Sequence, residues 1–249
     1  MTAKAVEHTG TENPPEQVPQ RRSKGYNNMM KIGLFGGTFN PIHYGHLRSA
    51  EEIRAMFALE KIFFIPSGNP PLKRKDLAEA KDRYNMARMA VRGNPYFEVL
   101  DIECVRPGKS YTVNTLELML KKYADVDFYF MLGIDAFLDI PNWREPERIM
   151  SLTNFIVLSR PGNTFEDLLG SPYLEIKKTD LISLARGGRE SCGTALPNTK
   201  KVFLAKVTPI GISSTDIRKS VKKGAGIKYL LPENVESYII SKSLYMQGN

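Results

Sequence analysis

Two histidines three residues apart, His43 and His46, follow a glycine pair in the stretch Lys31 to Leu47, KIGLFGGTFNPIHYGHL. Glycines such as Gly36 and Gly37 let backbone N–H groups come close to an anion, and a helix N-terminus adds a partial positive charge that favours phosphate. The chemistry this suggests is phosphate binding, with imidazole donors at the helix entrance. A second candidate set is Ile212 to Arg218, ISSTDIR. There Ser213, Ser214 and Thr215 can cap a helix, and Arg218 supplies a planar, permanently charged fork suited to phosphate oxygens. This set lies inside Lys200 to Lys228, which carries eight basic residues against one acidic and so holds most of the +8 net charge. Charge alone does not choose between a triphosphate and a nucleic acid as its partner. No serine or cysteine stands in a nucleophile-and-base arrangement, so covalent catalysis is not expected. Cys104 and Cys192 are far apart and outside any CxxC spacing, which excludes a disulfide framework and a cysteine metal site and fits a reducing cytoplasm.

The elements that must position these residues alternate along the chain. Ile32 to Phe35 is a short apolar run that breaks at the glycines. A helix then places Leu47, Ala50, Ile53 and Phe57 on one face. Lys61 to Ile65 reads as a second buried strand, Ala80 to Arg92 as a helix, Tyr96 to Glu103 as strand-like and Thr112 to Tyr123 as a helix. Val126 to Leu132 is a central strand ending at Gly133, and Asn154 to Ser159 is another. This order predicts an α/β fold, a doubly wound parallel sheet with ligands bound beyond the carboxyl ends of its strands. Gly162 to Thr199 mixes polar, glycine and isolated apolar residues, with a candidate strand at Tyr173 to Ile176. It is expected to form an insertion or lid at about 162–200. Lys201 to Val207 resumes as a strand, Ser213 to Lys222 as a capped helix and Pro232 to Ile240 as a closing helical segment. Met1 to Asn28 is polar and proline-containing, without hydrophobic period. It is expected to be a disordered leader, with 29–249 as one domain. No apolar run approaches the ~18 residues of a membrane span, and the N-terminus lacks a secretory apolar region.

The glycine–histidine stretch is neither a GxGxxG fingerprint nor a Walker loop. It resembles the (H/T)xGH signature of the nucleotidylyltransferase superfamily. Gly36-Gly37-Thr38-Phe39-Asn40-Pro41 with His43-Tyr44-Gly45-His46 is similar to the nicotinate-nucleotide adenylyltransferase version. ISSTDIR resembles the second signature, ISSTxIR. Ser110-Tyr111-Thr112 resembles the PSYT element, Ile140-Pro141-Asn142-Trp143 the PxW element, Gly133-Ile134-Asp135 the GxD element, and Arg160-Pro161-Gly162 a family turn. Three positions depart from the pattern. Leu72 in Pro70-Pro71-Leu72-Lys73 replaces a histidine, Asn40 stands where aspartate is common, and Gly224 to Lys228 is a looser turn than usual.

The resemblance implies a Rossmann-like sheet and adenylyl transfer from ATP to nicotinate mononucleotide. Gly36, Gly37, Thr38, Phe39, His43, His46, Gly133, Asp135, Ser213, Ser214, Thr215 and Arg218 would then bind ATP, with His43, His46 and Arg218 catalytic. Lys73, Ser110, Tyr111, Thr112 and Trp143 would bind the mononucleotide, the indole stacking on its ring. Mg²⁺ would arrive on the ATP phosphates, with no dedicated protein metal site. Without its neighbours Trp143 reads as core packing, Asp135 as a helix cap and ISSTDIR as an ordinary capped helix. The rival readings are a sister enzyme using nicotinamide mononucleotide or phosphopantetheine, and a nucleic-acid binder using Lys200 to Lys228. That segment lacks interleaved aromatics apart from Phe203, which argues against nucleic acid. A homo-oligomer is left open by the sequence.

Overall fold

The strands read as unbroken apolar runs because the sheet they form is covered on both faces. A computed structural model describes residues 29–71, 76–196 and 200–246. The leader 1–28 and the Lys73 segment lie outside the described residues. In chain order the elements are β1 (Met30–Gly37), α1 (Tyr44–Met56), β2 (Lys61–Pro66), α2 (Ala80–Val91), β3 (Phe97–Val99), α3 (Thr112–Lys122), β4 (Val126–Gly133), α4 (Ile134–Leu138), α5 (Pro146–Leu152), β5 (Asn154–Leu158), α6 (Lys178–Ala185), β6 (Ser191–Ala195), β7 (Lys201–Ala205), α7 (Ser214–Lys222) and α8 (Glu233–Ser241). Short 3-10 turns cover Ile140–Asn142 and Phe165–Gly170.

Successive strand residues point to opposite faces, and here each face has its own core. Ile32, Leu34, Phe63, Phe130, Phe155 and Val157 join one apolar cluster with residues of α3 to α6. Phe35, Ile62, Phe64, Met131 and Ile156 join a second cluster with residues of α1, α2, α7 and α8. The strand order is β3-β2-β1-β4-β5-β7-β6, parallel throughout except for the antiparallel pair β6–β7. The winding reverses between β1 and β4, where Phe35 lies opposite Met131. The loops leaving these two strands at their carboxyl ends therefore border the crevice in which doubly wound sheets bind ligands. Gly36-Gly37 and Gly133 both lie there.

Two element expectations need correction. Only Phe97–Val99 of the stretch Tyr96 to Glu103 is strand. The chain turns at Asp101, whose carbonyl accepts the N–H groups of Cys104 (2.7 Å) and Val105 (3.0 Å). Tyr173 to Ile176 is irregular and packs at the rim of the first core, whereas the strand of this region is β6. Its sequence SCGTA lacks the β-branched alternation of a strand because it is a half-exposed edge, with the bare Gly193 facing the Phe203 ring. Phe165, Leu168, Leu181, Leu184 and Leu196 of the 162–200 stretch are buried in the same core as Phe155. No helix among the described residues is long and apolar enough to cross a membrane.

Candidate active site

His43 is the N-cap residue of α1 and is 5% exposed. Its carbonyl starts the helix by accepting the N–H of His46 (3.0 Å) and of Leu47 (3.3 Å). Its own N–H donates to His46 Nδ1 at 3.3 Å, and the two rings stack with centroids 3.8 Å apart. Gly45 makes this stacking feasible. A Cβ there would lie 3.0 Å from both Cε1 and Nδ1 of His43, closer than side chains pack. The edges of Phe39 and Phe35 enclose His46, with centroids at 5.2 and 6.2 Å. His43 is buried, and His46 is partly buried against these rings. Burial, with the nearby Arg160 charge adding to it, lowers the His43 pKa to about 4. Burial, then His43 and Arg160, hold His46 well below the ordinary value. Both rings are neutral at pH 7. Because His46 Nδ1 accepts a hydrogen bond, the network assigns the single ring proton to Nε2, which makes that atom a neutral donor. His43 Nδ1 is buried and has no hydrogen-bond partner among the described residues.

The loop between the glycines and the histidines is anchored at every residue that follows them. Gly37 packs against the Phe39 ring, where a Cβ would come within 3.0 Å, and its carbonyl accepts Ser67 N–H at 2.9 Å. Gly36 lies against Phe130, and Phe39 adopts a positive φ of 47°. The Asn40–Pro41 peptide is cis. Arg218 Nη1 donates to Asn40 O at 2.8 Å and Ser214 Oγ to Pro41 O at 2.8 Å, so the start of α7 is latched onto this loop across 178 and 173 residues of sequence. Arg218 Nη2 reaches Thr215 Oγ1 at 3.4 Å, and its buried Nε has no partner among the described residues. Ser213 caps α7, accepting Asp216 N–H at 3.1 Å while its hydroxyl donates to the Asp216 carboxylate at 2.7 Å. That second bond holds the Asp216 pKa below its usual value. The expected capped helix is thus present, with Ser213 as its cap and Ser214 and Arg218 engaged in holding the backbone of the β1–α1 loop.

On the β4 side, Asp135 lies in the first turn of α4 and pairs with Arg160 Nη1 at 2.9 Å. With half of each side chain exposed, that pair contributes little stability. Its importance here is the Arg160 charge felt by both histidines. Ser110 is buried. It exchanges two hydrogen bonds with Asn69, donating its N–H to Asn69 O (2.9 Å) and accepting Asn69 N–H on Oγ (3.0 Å). Tyr111 is the N-cap residue of α3, Thr112 its first residue, and the Arg144 guanidinium lies 4.9 Å from the Tyr111 ring centre. Trp143 packs at the edge of the first core, oriented by Nε1 donating to Asp139 Oδ2 at 3.1 Å.

With this geometry in view, the matches to known proteins are informative. A cytidylyltransferase-like family model matches residues 34–220, a span from β1 to α7. A Desulfitobacterium hafniense protein named probable nicotinate-nucleotide adenylyltransferase is 46% identical over 216 residues, covering 86% of this chain and 95% of that protein. A Desulfatibacillum aliphaticivorans protein of the same name is 42% identical, covering 87% of this chain and 100% of its own length. The chain belongs to the nicotinate-nucleotide adenylyltransferase family. Among solved structures, Plasmodium falciparum nicotinic acid mononucleotide adenylyltransferase complexed with NaAD shares the fold at a TM-score of 0.65, with 22% identity over 86% of this chain and 97% of that one.

Three contributors to the site were not found by reading the sequence. Arg160 stands in the sequence only as part of a family turn, and nothing local signals that its charge reaches the histidines. Asp139, which orients Trp143, sits four residues before it, a spacing that a turn can bring together. Arg83 left a clearer signal, a charge on the apolar side of α2 in register with the buried Met86 and Ala87.

Proposed function

We propose that this enzyme transfers the adenylyl group of ATP to the 5′-phosphate of nicotinate mononucleotide, forming nicotinate adenine dinucleotide and pyrophosphate in NAD biosynthesis. The observation that carries the reading is the stacked pair of neutral imidazoles at the point where the sheet reverses its winding, with His46 Nε2 as a neutral donor and His43 Nδ1 unpaired among the described residues. In the reaction an oxygen of the mononucleotide phosphate bonds to the α-phosphorus of ATP as the bond from that phosphorus to the pyrophosphate oxygen breaks. Such a transfer is accelerated by alignment and by donors aimed at the charge on the transferring group. In this reading His46 Nε2–H donates to an α-phosphate oxygen and His43 lines the same pocket. Gly36, Gly37, Thr38 and Phe39 cradle the nucleotide, and Arg218 with Ser213, Ser214 and Thr215 faces the β- and γ-phosphates. Gly133 and Asp135 border the nucleotide from β4. Ser110, Tyr111, Thr112 and Trp143 receive the pyridine nucleotide, with Lys73 toward its phosphate.

The donors this reading assigns to the nucleotide are N–H groups, imidazoles and a guanidinium, a set suited to phosphate oxygens. No cluster of three or more metal-binding side chains occurs among the described residues. In this reading Mg²⁺ is part of the substrate, carried on the ATP phosphates held by those donors, where it would neutralise charge on the departing pyrophosphate.

The test is pyrophosphate release from Mg·ATP with nicotinate mononucleotide, nicotinamide mononucleotide and phosphopantetheine compared side by side. Release is expected to be fastest with nicotinate mononucleotide. Turnover with phosphopantetheine alone, or equal turnover without any acceptor, would overturn the reading.

A further inference from the structure

Arg83 is 0% exposed, yet it carries a guanidinium into the second core from α2. Each of its nitrogens has work there. Nε donates to Ala78 O at 2.9 Å, Nη1 to Thr38 O at 2.9 Å and also to Ser67 O, and Nη2 to Gly68 O at 2.9 Å. One side chain thus ties three segments: the phosphate loop after β1, the loop after β2 and the turn that leads into α2. All four acceptors are backbone carbonyls. Burial pulls the Arg83 pKa down, and these carbonyl dipoles are what replace water around the charge. Arginine is suited to this because its donors are spread over a rigid fork.

The tie continues toward the other substrate. Gly68 is followed by Asn69, which exchanges two hydrogen bonds with Ser110 at the entrance to α3. Gly68 is itself pressed against the Glu103 carbonyl, where a Cβ would lie 1.9 Å from the oxygen. Ser67 N–H donates to Gly37 O at 2.9 Å. A continuous hydrogen-bonded path therefore runs from Thr38 and Gly37, through Arg83 and the 67–69 loop, to Ser110. We propose that Arg83 is a positioning residue for the transfer: it fixes the spacing between the phosphate loop and the start of α3, and with it the alignment of the two substrates. The proposal rests on the assignment of those two segments to ATP and to the mononucleotide.

Arg83→Lys is the test, because one ammonium cannot reach carbonyls on three segments. Hydrogen exchange should accelerate at least about tenfold at the amides of Ser67, Asn69 and Ser110, with Leu34 in β1 and Phe130 in β4 unchanged. In steady-state kinetics kcat should fall on the order of 100-fold, the scale set by small misalignments of reacting groups, with KM for each substrate within about threefold. Wild-type exchange at the three amides, or wild-type kcat in the folded variant, overturns the proposal. So does a kcat loss that merely tracks general loss of protection across the sheet. Should the lysine variant not fold, Ser110→Ala removes the acceptor of Asn69 N–H at the far end of the path. Faster exchange at Asn69 with Ser67 still protected then supports the path, and unchanged exchange at Asn69 overturns it. The exchange arm needs no turnover, while pyrophosphate release by the unsubstituted protein reports separately on the function reading.

Discussion

A neutral imidazole buried against phenylalanine rings is a hydrogen-bond donor whose strength does not depend on titration near pH 7, and that condition has a measurable cost in acid. His43 has its pKa lowered to about 4 from an ordinary 6.5 by burial first and the Arg160 charge second. Between those values the unfolded chain binds a proton that the native state does not, so stability rises with pH across the window and is lost as pH falls through it. The shift corresponds to about 3 kcal/mol from His43 between pH 7 and pH 4, with His46 acting in the same direction. Ring NMR of the free enzyme should show no inflection near 6.5 for either residue, and unfolding by denaturant should show the stability loss below pH 6.5. An inflection near 6.5 in both rings would remove the neutral-donor account. At this scale the sequence was most legible where one residue type has few alternatives. The glycine between the histidines leaves room for the stacked rings, and the pair itself stands out. Arg83 was harder to read because a charge in a helix ordinarily marks its solvent face.

The β1–α1 loop shows how an element can be legible in type and illegible in support. Its glycines, its helix start and the capped start of α7 follow from local residue preferences. What holds it comes from 30 to 205 residues away, and no local pattern reports that. Asn40, 4% exposed, is the centre of this support. Its Nδ2 donates to Asp76 O (2.8 Å), and its Oδ1 accepts Ala78 N–H (3.1 Å) and the Tyr245 hydroxyl (2.8 Å). Asn40 stands as a departure from the pattern of the resemblance, in which aspartate is common at this position. The structure gives the amide a structural reason, since only it can both donate and accept here. Asn40→Asp replaces the donor with an oxygen facing a carbonyl, and the expected loss is about 1–3 kcal/mol, read as a lower melting temperature with the sheet intact. Unchanged melting at pH 7 would show that the Asp76 contact is dispensable. The short β3 and the β6 edge were misjudged for a different reason. Each is determined by pairing with a neighbour, and neither carries a two-residue period of its own.

On the scale of the molecule, the basic segment that dominates the net charge does not form one free surface. Lys206 Nζ donates to Ala185 O (2.7 Å), Arg218 holds Asn40 O, Lys219 pairs with Asp216 (3.5 Å) and Lys222 with Asp76 (2.6 Å). Arg218 and Lys222 thereby hold the β1–α1 loop and the turn at Asp76 bonded to it, while Lys206 and Lys219 stay exposed. The chain then returns to the same place from its other end. Tyr245 is 8% exposed in the second core, adopts a positive φ of 65° and donates its hydroxyl to Asn40 Oδ1 across 205 residues. Burial, its largest cause, raises the Tyr245 pKa, so the hydroxyl remains a donor throughout the physiological range. If the C-terminal turn is a structural part of the phosphate loop, Tyr245→Phe should cost about 1 kcal/mol for the lost bond, and Tyr245→Ala about 3–5 kcal/mol for the aromatic side chain as well. For a domain of this size each kcal/mol corresponds to roughly 2–4 °C in Tm. A double-mutant cycle combining Tyr245→Phe with Asn40→Ala should give a coupling of at least about 0.5 kcal/mol, because the two groups touch. Additive losses, or a Tyr245→Ala variant that melts with the wild type, would separate the C-terminus from the loop.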